Sequence, residues 1–314
     1  MNFRTSIQLQ KERNQIDYNS KLMIIGSCFS ENIFNKLDYF KINASNNPFG
    51  ILYNPVAIEK LITNVVNEKK YTEKDIFEFN ERWHCFDAHS NLSAVHKNDL
   101  LKNLNLEIQL VNKCIKNASH LIITLGTARV YRHIESDDIV GNCHKIPQKK
   151  FLQELLSVKQ IIASLENIIE LVRAENPSIN IVFTVSPVRH LKDGFVENTQ
   201  SKAHLISAIH QIIDKRNQLY YFPSYEIMID DLREYRFYNT DMIHPNETAI
   251  NYIWEQFKQV WISENISSIM KEIDTIQKGL AHKPFNPTSE QHQLFLKKLN
   301  QKIHLLKEEY NISL

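Results

Sequence analysis

Leu22-Met23-Ile24-Ile25-Gly26-Ser27-Cys28-Phe29-Ser30 is the stretch from which the fold of this chain is read. Its four leading apolar residues have the length of a buried strand, and a glycine ends the run. Two side-chain nucleophiles, Ser27 and Cys28, follow at once. A strand that stops at glycine and then displays a nucleophile is how a hydrolase holds its attacking atom above the edge of a sheet. Apolar runs of similar length recur at Leu121–Leu125, Ile179–Val185 and Tyr220–Phe222. Between them the period changes to that of a helix, most clearly at Leu156, Ile161, Ile162, Leu165, Ile168, Ile169 and Val172 before Asn176-Pro177 breaks it. Strands alternating with helices predict a parallel sheet, because parallel neighbours need crossovers and right-handed helical crossovers supply them.

Working outward, a further helix is predicted from about Gln200 to Asp214, and another beginning at Pro245 with Ile250, Ile253, Trp254, Phe257 and Val260 on its apolar side. Arg129 to Pro147 has hairpin character, with Val130-Tyr131 and Ile139-Val140 flanking an acidic turn. Beyond Ile262 the chain becomes highly charged and helical in pattern, with an interruption at His282–Pro287. The expectation is a three-layer α/β/α sandwich with a mainly parallel sheet over residues 1–262. A C-terminal helical appendage over 263–314 would pack back on the core, dimerise or cover the site.

Composition sets limits on function. Lys and Arg total 37 against 36 for Asp and Glu, so no global field favours nucleic acid, an anionic membrane or a polyanion. No stretch is apolar for long enough to span a bilayer, and residues 1–20 lack the continuous apolar core of a signal peptide, which makes a cytoplasmic location the expectation. The four cysteines are widely spaced and are expected to be reduced thiols. Only 6 glycines occur, and Gly26, Gly50 and Gly126 all fall in candidate site segments where backbone must approach a ligand closely.

Far downstream, Asp241-Met242-Ile243-His244-Pro245 supplies a carboxylate and an imidazole three residues apart, the acid placed to fix the tautomer of the base. The Gly26–Ser30 segment resembles the signature of the GSCFA-domain family, itself similar to the SGNH (GDSL-type) hydrolases. Further matching segments are Asn47-Pro48-Phe49-Gly50, Thr124-Leu125-Gly126-Thr127, Asn142–Pro147, Ser186-Pro187-Val188-Arg189 and Tyr235–Tyr238. The resemblance implies a flavodoxin-like sandwich that acts on an ester or thioester carbonyl as a hydrolase or acyltransferase, with no cofactor and no metal.

Carried over residue by residue, the resemblance places Cys28 at the nucleophile position and Ser27 where the superfamily has aspartate, a departure that leaves Ser27 as the alternative nucleophile. A thiol at a helix start is expected to be held partly as thiolate by the helix dipole and by His244. His244 would be the base and Asp241 its orienting acid. Gly50 would give an oxyanion donor, while Ala128 stands where the superfamily's oxyanion asparagine should be, so Thr127, Asn142 or a backbone amide must substitute. Gly26, Gly126, His144 and Arg189 are the candidate substrate contacts, Arg189 together with His190 for a negatively charged group. His84, Cys85, Asp87 and His89 are too irregularly spaced for a metal site and are expected to have structural or substrate-contact roles. The expected partner is a small-molecule or carbohydrate ester, without nucleic acid or membrane, and the C-terminal helices are candidates for homo-oligomerisation. The competing expectation is a catalytically impaired binding protein on the same fold, taking a carbohydrate or an acylated ligand.

Overall fold

The computed structural model describes residues 5–310 and 312–314. In chain order the main elements are β1 (Leu22–Gly26), α1 (Phe29–Tyr39), β2 (Ala44–Asn46), α2 (Pro55–Val66), β3 (Phe77–Phe79), β4 (Arg82–His84), α3 (Lys97–Asn117) and β5 (His120–Leu125). There follow β6 (Arg129–His133), β7 (Ile139–Val140), β8 (Phe151–Leu155), α4 (Val158–Glu175), β9 (Asn180–Val185), α5 (Phe195–Ile212) and β10 (Leu219–Phe222). The single turn α6 (Ser224–Glu226) runs into a π-helical stretch, Ile227–Leu232, and α7 (Glu247–Trp261), α8 (Ser267–Ala281) and α9 (Glu290–Tyr310) complete the chain.

Five parallel strands form the central sheet in the order β10-β9-β5-β1-β2. The side-chain period of two divides the sheet cleanly. Ile24, Ile122, Val182 and Tyr220 are in register across four strands and pack with α1 and α7 on one face. Met23, Ile25, Leu121, Ile123, Ile181 and Phe183 face the other way, onto α2, α3, α4 and α5. Full burial of each such side chain stabilises the fold by about 1.5–3 kcal/mol, which is why both faces demand cover. The result is the expected α/β/α sandwich, with the strand order reversing between β1 and β5, the switch point where doubly wound sheets open a crevice.

Three features lie outside the sequence expectation. The hairpin is a three-stranded sheet, β7-β6-β8, because Phe151–Leu155 returns antiparallel along β6. The helix after His244 begins at Glu247, with the Asn246 carboxamide capping the Ala249 amide at 3.1 Å. Pro245 lies before it, in a bridge to Tyr238. The edge strand β2 is short and polar.

Helices α8 and α9 pack together through Ile273, Ile276, Leu299 and Leu306 and against Tyr18 and Phe40 of the core. Among the described residues no helix is long and apolar enough to cross a membrane.

Candidate functional site

At the end of β1 the backbone turns through Gly26, whose φ of 140° and 2.1 Å approach of an added Cβ to the Thr124 carbonyl oxygen exclude any side chain. The Gly26 amide donates to Asn47 Oδ1 at 2.8 Å, and Asn47 Nδ2 donates to Ser30 Oγ at 2.8 Å, so one carboxamide ties the strand end to the start of α1. This turn buries Ser27 completely, its Oγ without a hydrogen-bond partner, and brings Cys28 to the N-cap of α1. Cys28, not Ser27, lines a cavity of about 430 Å³ beyond the carboxyl ends of the strands.

His244 lines the same cavity, on a loop closed by the Asn239 amide donating to the His244 carbonyl at 2.8 Å. Asp241 Oδ1 accepts the amides of Ile243 and His244 at 2.9 and 3.0 Å, and Oδ2 meets His244 Nδ1 at 2.7 Å. The His244 amide and imidazole, with the Ile243 amide, hold the Asp241 carboxyl down at about 2. An ionised partner at Nδ1 leaves Nε2 as the accepting nitrogen of the neutral ring. The side chains of His244 and Asp241 are 46% and 44% exposed, which leaves the base open to an incoming ligand.

The thiol does not meet the expectation of a preformed thiolate. Burial pushes the Cys28 thiol up, and Glu31 adds to this, while Lys202 and hydrogen bonds from the backbone amides of Cys28 and Phe29 pull the other way. A neutral thiol needs a base at the moment of attack.

Lys202, on α5, was not visible in the sequence. It is fully buried, and its Nζ donates to the carbonyls of Gly126 and Ser186 at 2.6 and 2.7 Å, bridging the chain just beyond β5 and β9. Burial lowers its ammonium to about 7, with only the electrostatic influence of the nearby Cys28 opposing the shift. A lysine on an amphipathic helix ordinarily reads as part of the solvated face. His190, expected beside Arg189 as a contact for a negatively charged group, lines the cavity; its Nε2 is buried without a partner among the described residues, and burial, Lys202 and His244 together hold it down to about 3.

The remaining sequence candidates divide by direction rather than by distance along the chain. Gly126 is packed against Ser27 and His190, and its amide and that of Thr127 both donate to the Tyr53 carbonyl, at 2.7 and 3.0 Å. The Thr127 hydroxyl accepts the Arg129 amide and pairs with Ser201, so neither of its donors is free for an oxyanion. Ala128 is buried away from the cavity, and its amide is taken by Ser201 Oγ. Gly50 lies outside the cavity lining; its amide donates to the Asn47 carbonyl at 2.7 Å, and His89 packs where its side chain would be. His144 is buried behind the lining, its Nε2 on the Cys85 carbonyl and Nδ1 on Ser90, and burial lowers it to about 4. Its role is indirect, since its amide donates to Asn142 Oδ1 at 2.8 Å and orients that carboxamide, which does line the cavity. Asn54, which the sequence reading did not single out, lines it too: Oδ1 caps the Ala57 amide of α2, and Nδ2 has no hydrogen-bond partner among the described residues.

Arg189 lines the cavity with its guanidinium 4.0 Å from the Tyr238 ring, and its amide donates to the Ile243 carbonyl at 3.2 Å. His84 bonds Ser93 and the Phe79 carbonyl, and Asp87 pairs with Lys60 and Lys69, so that cluster is spent on structure. Among the described residues no group of three or more His, Cys, Asp or Glu is placed to hold a metal ion. All four cysteines are free.

Two solved structures are similar to the chain at low identity and low TM-score. A carbohydrate esterase family 3 protein from Talaromyces cellulolyticus is 8% identical, with a TM-score of 0.39 over 81% of this chain and 99% of that one. An acetyl esterase mutant with acetate ion is 9% identical, with a TM-score of 0.37 over the same shares. No curated protein sequence matches. The GSCFA domain protein C-terminal domain profile matches residues 273–313. With the GSCFA family profile matching residues 21–257, most of the sandwich and every element that builds the cavity, the chain belongs to the GSCFA family.

Proposed function

We propose that the chain acts on an ester or thioester carbonyl, as a hydrolase or acyltransferase, with Cys28 as nucleophile, His244 as general base and Asp241 fixing the base. The observation that carries this reading is that Cys28 and His244, from opposite ends of the sandwich sequence, line one cavity while Asp241 occupies Nδ1 and Nε2 has no hydrogen bond among the described residues. Cys28 Sγ adds to the carbonyl carbon as its proton passes to His244 Nε2. The oxyanion so formed takes the backbone amide of Cys28 and the Nδ2 group of Asn54 or Asn142 as donors, in place of Gly50 and Thr127. Collapse expels the alcohol or thiol, which receives the proton from His244, and leaves a thioester on Cys28. Water, or a second alcohol or amine, then takes the acyl group by the reverse proton route.

The test combines intact-mass thiol labelling with turnover of p-nitrophenyl acetate in Cys28→Ser, Ser27→Ala and His244→Ala. Cys28→Ser should remove the label at this site and most turnover, and His244→Ala should lower turnover by about 10²–10⁴-fold, whereas Ser27→Ala should keep the label. Unchanged labelling and turnover in both the Cys28 and His244 variants sinks the mechanism. The neutral thiol and the engaged amides of Gly50 and Thr127 favour the second reading, a binding protein on this fold, which predicts saturable binding of an acylated ligand without turnover.

A further inference from the structure

The cavity beside Cys28 is lined by Arg129, Arg189 and Lys192 against a single carboxylate, Asp193, in a chain whose formal net charge is only +1. Asp193 is itself engaged by the Gln153 carboxamide. Arg129 opens β6, and its amide is fixed on Thr127 Oγ1 at 3.0 Å. Its Nε is buried without an acceptor, and its guanidinium has no hydrogen bond or ion pair among the described residues. Arg189 is braced by the rings of Tyr238 and Tyr235, and its Nη1 donates to the Met242 carbonyl at 3.4 Å, so it offers a further acceptor only its remaining N–H groups. Lys192 is exposed at the rim.

A guanidinium cannot shed its proton, and a buried N–H without an acceptor is costly to keep. Both problems end when a planar oxyanion accepts from Nε and one Nη in the fork geometry for which arginine is suited. Clustered like charges in a concave wall also focus the field on an incoming anion. We propose that the substrate carries a compact oxyanion, a carboxylate or a phosphate group, which docks on Arg129 with Arg189 and Lys192 while its scissile carbonyl lies at Cys28. This inference rests on the reading of the cavity as the substrate site, and it narrows the substrate class from esters in general to esters with an anionic end.

Two measurements test it. Succinate, inorganic phosphate and neutral succinamide are titrated calorimetrically into the full chain at low ionic strength. Saturable binding of succinate or phosphate but not succinamide is expected, and whichever anion binds identifies the group. Arg129→Gln should weaken it about tenfold or more, and Arg129→Lys, which keeps charge but not the fork, by less. Should Arg129→Gln fail to fold, Lys192→Gln at an exposed side chain should still weaken binding about threefold.

In a Cys143→Ser background, which removes the second cavity thiol, alkylation by iodoacetate is compared with that by neutral iodoacetamide at mildly alkaline pH. The iodoacetate preference at Cys28 should exceed that at Cys114 by about fivefold, and Arg129→Gln should abolish the excess. No saturable anion binding, or binding indifferent to the Arg129 and Lys192 variants, overturns the inference. If Cys28 takes neither reagent, the nucleophile reading fails, and the calorimetric titration alone still decides the anion site.

Discussion

Replacing Lys202 with methionine gives a sharp physical test of the ground beneath the site. Its ammonium has an ordinary value of 10.5 and is lowered by burial to about 7 in the folded chain. Between these values the unfolded chain binds the proton and the folded chain does not, so stability rises with pH through that window and levels off above the upper value. Each pH unit inside it contributes about 1.4 kcal/mol, which makes the wild type about 2–3 kcal/mol more stable at pH 9 than at pH 7 from this group alone. Lys202→Met removes that dependence. It also strips the Gly126 and Ser186 carbonyls of their donor, an opposing loss of about 1–3 kcal/mol for each, so the absolute stability at pH 7 is a near balance while the slope is not. Urea unfolding of both proteins across pH 7–9 is the assay, and the difference between their stabilities is the quantity to follow. Parallel curves for the two proteins would refute the reasoning.

Gly26→Ala forces a Cβ to within 2.1 Å of the Thr124 carbonyl oxygen at a φ that side chains rarely adopt, and it should destabilise by more than about 3 kcal/mol in urea melts. A loss under about 1 kcal/mol would show that the turn relaxes more freely than its packing implies. Asn47→Ala leaves the buried Gly26 amide and Ser30 Oγ without their carboxamide, a loss of about 2–4 kcal/mol, and hydrogen exchange at the Gly26 amide should quicken accordingly.

The strands β1, β5, β9 and β10 were legible because each centres on an apolar run that is largely buried, with the polar residues of β5 and β9 confined to positions near the strand ends. β2 was not, because Ala44-Ser45-Asn46 is three residues of edge, paired on one side only and partly exposed. β8 has no alternation to mark it, since buried Phe151 is followed by two exposed and two half-buried residues, and it does not separate from the loop around it. In the site, Cys28, Asp241 and His244 could be found since their local spacing carries their chemistry. Gly50, Thr127 and His144 belong to the family's motifs, yet a motif does not record which way an amide points, and theirs are turned to neighbouring backbone or side chains. Lys202 and Asn54 left no trace, since a buried ammonium and a dual-purpose cap are properties of packing between distant segments.

The segment leading into β1, around Glu12 to Ile16, and the end of α7 are fastened to each other. The Glu12 amide donates to the Val260 carbonyl, the Ile16 amide to Trp261, and the Ser263 amide back to Ile16, with Ile16 and Ile262 bridged in parallel. Both ends of the unit therefore share one opening event, and amides on either side should exchange with solvent at a common rate. The loop bearing His244 feeds directly into α7, which this fastening seats against the sheet. Releasing it withdraws support from the base while β1 and Cys28 remain held by the sheet and by Asn47, so the loss of the site precedes the melting of the core.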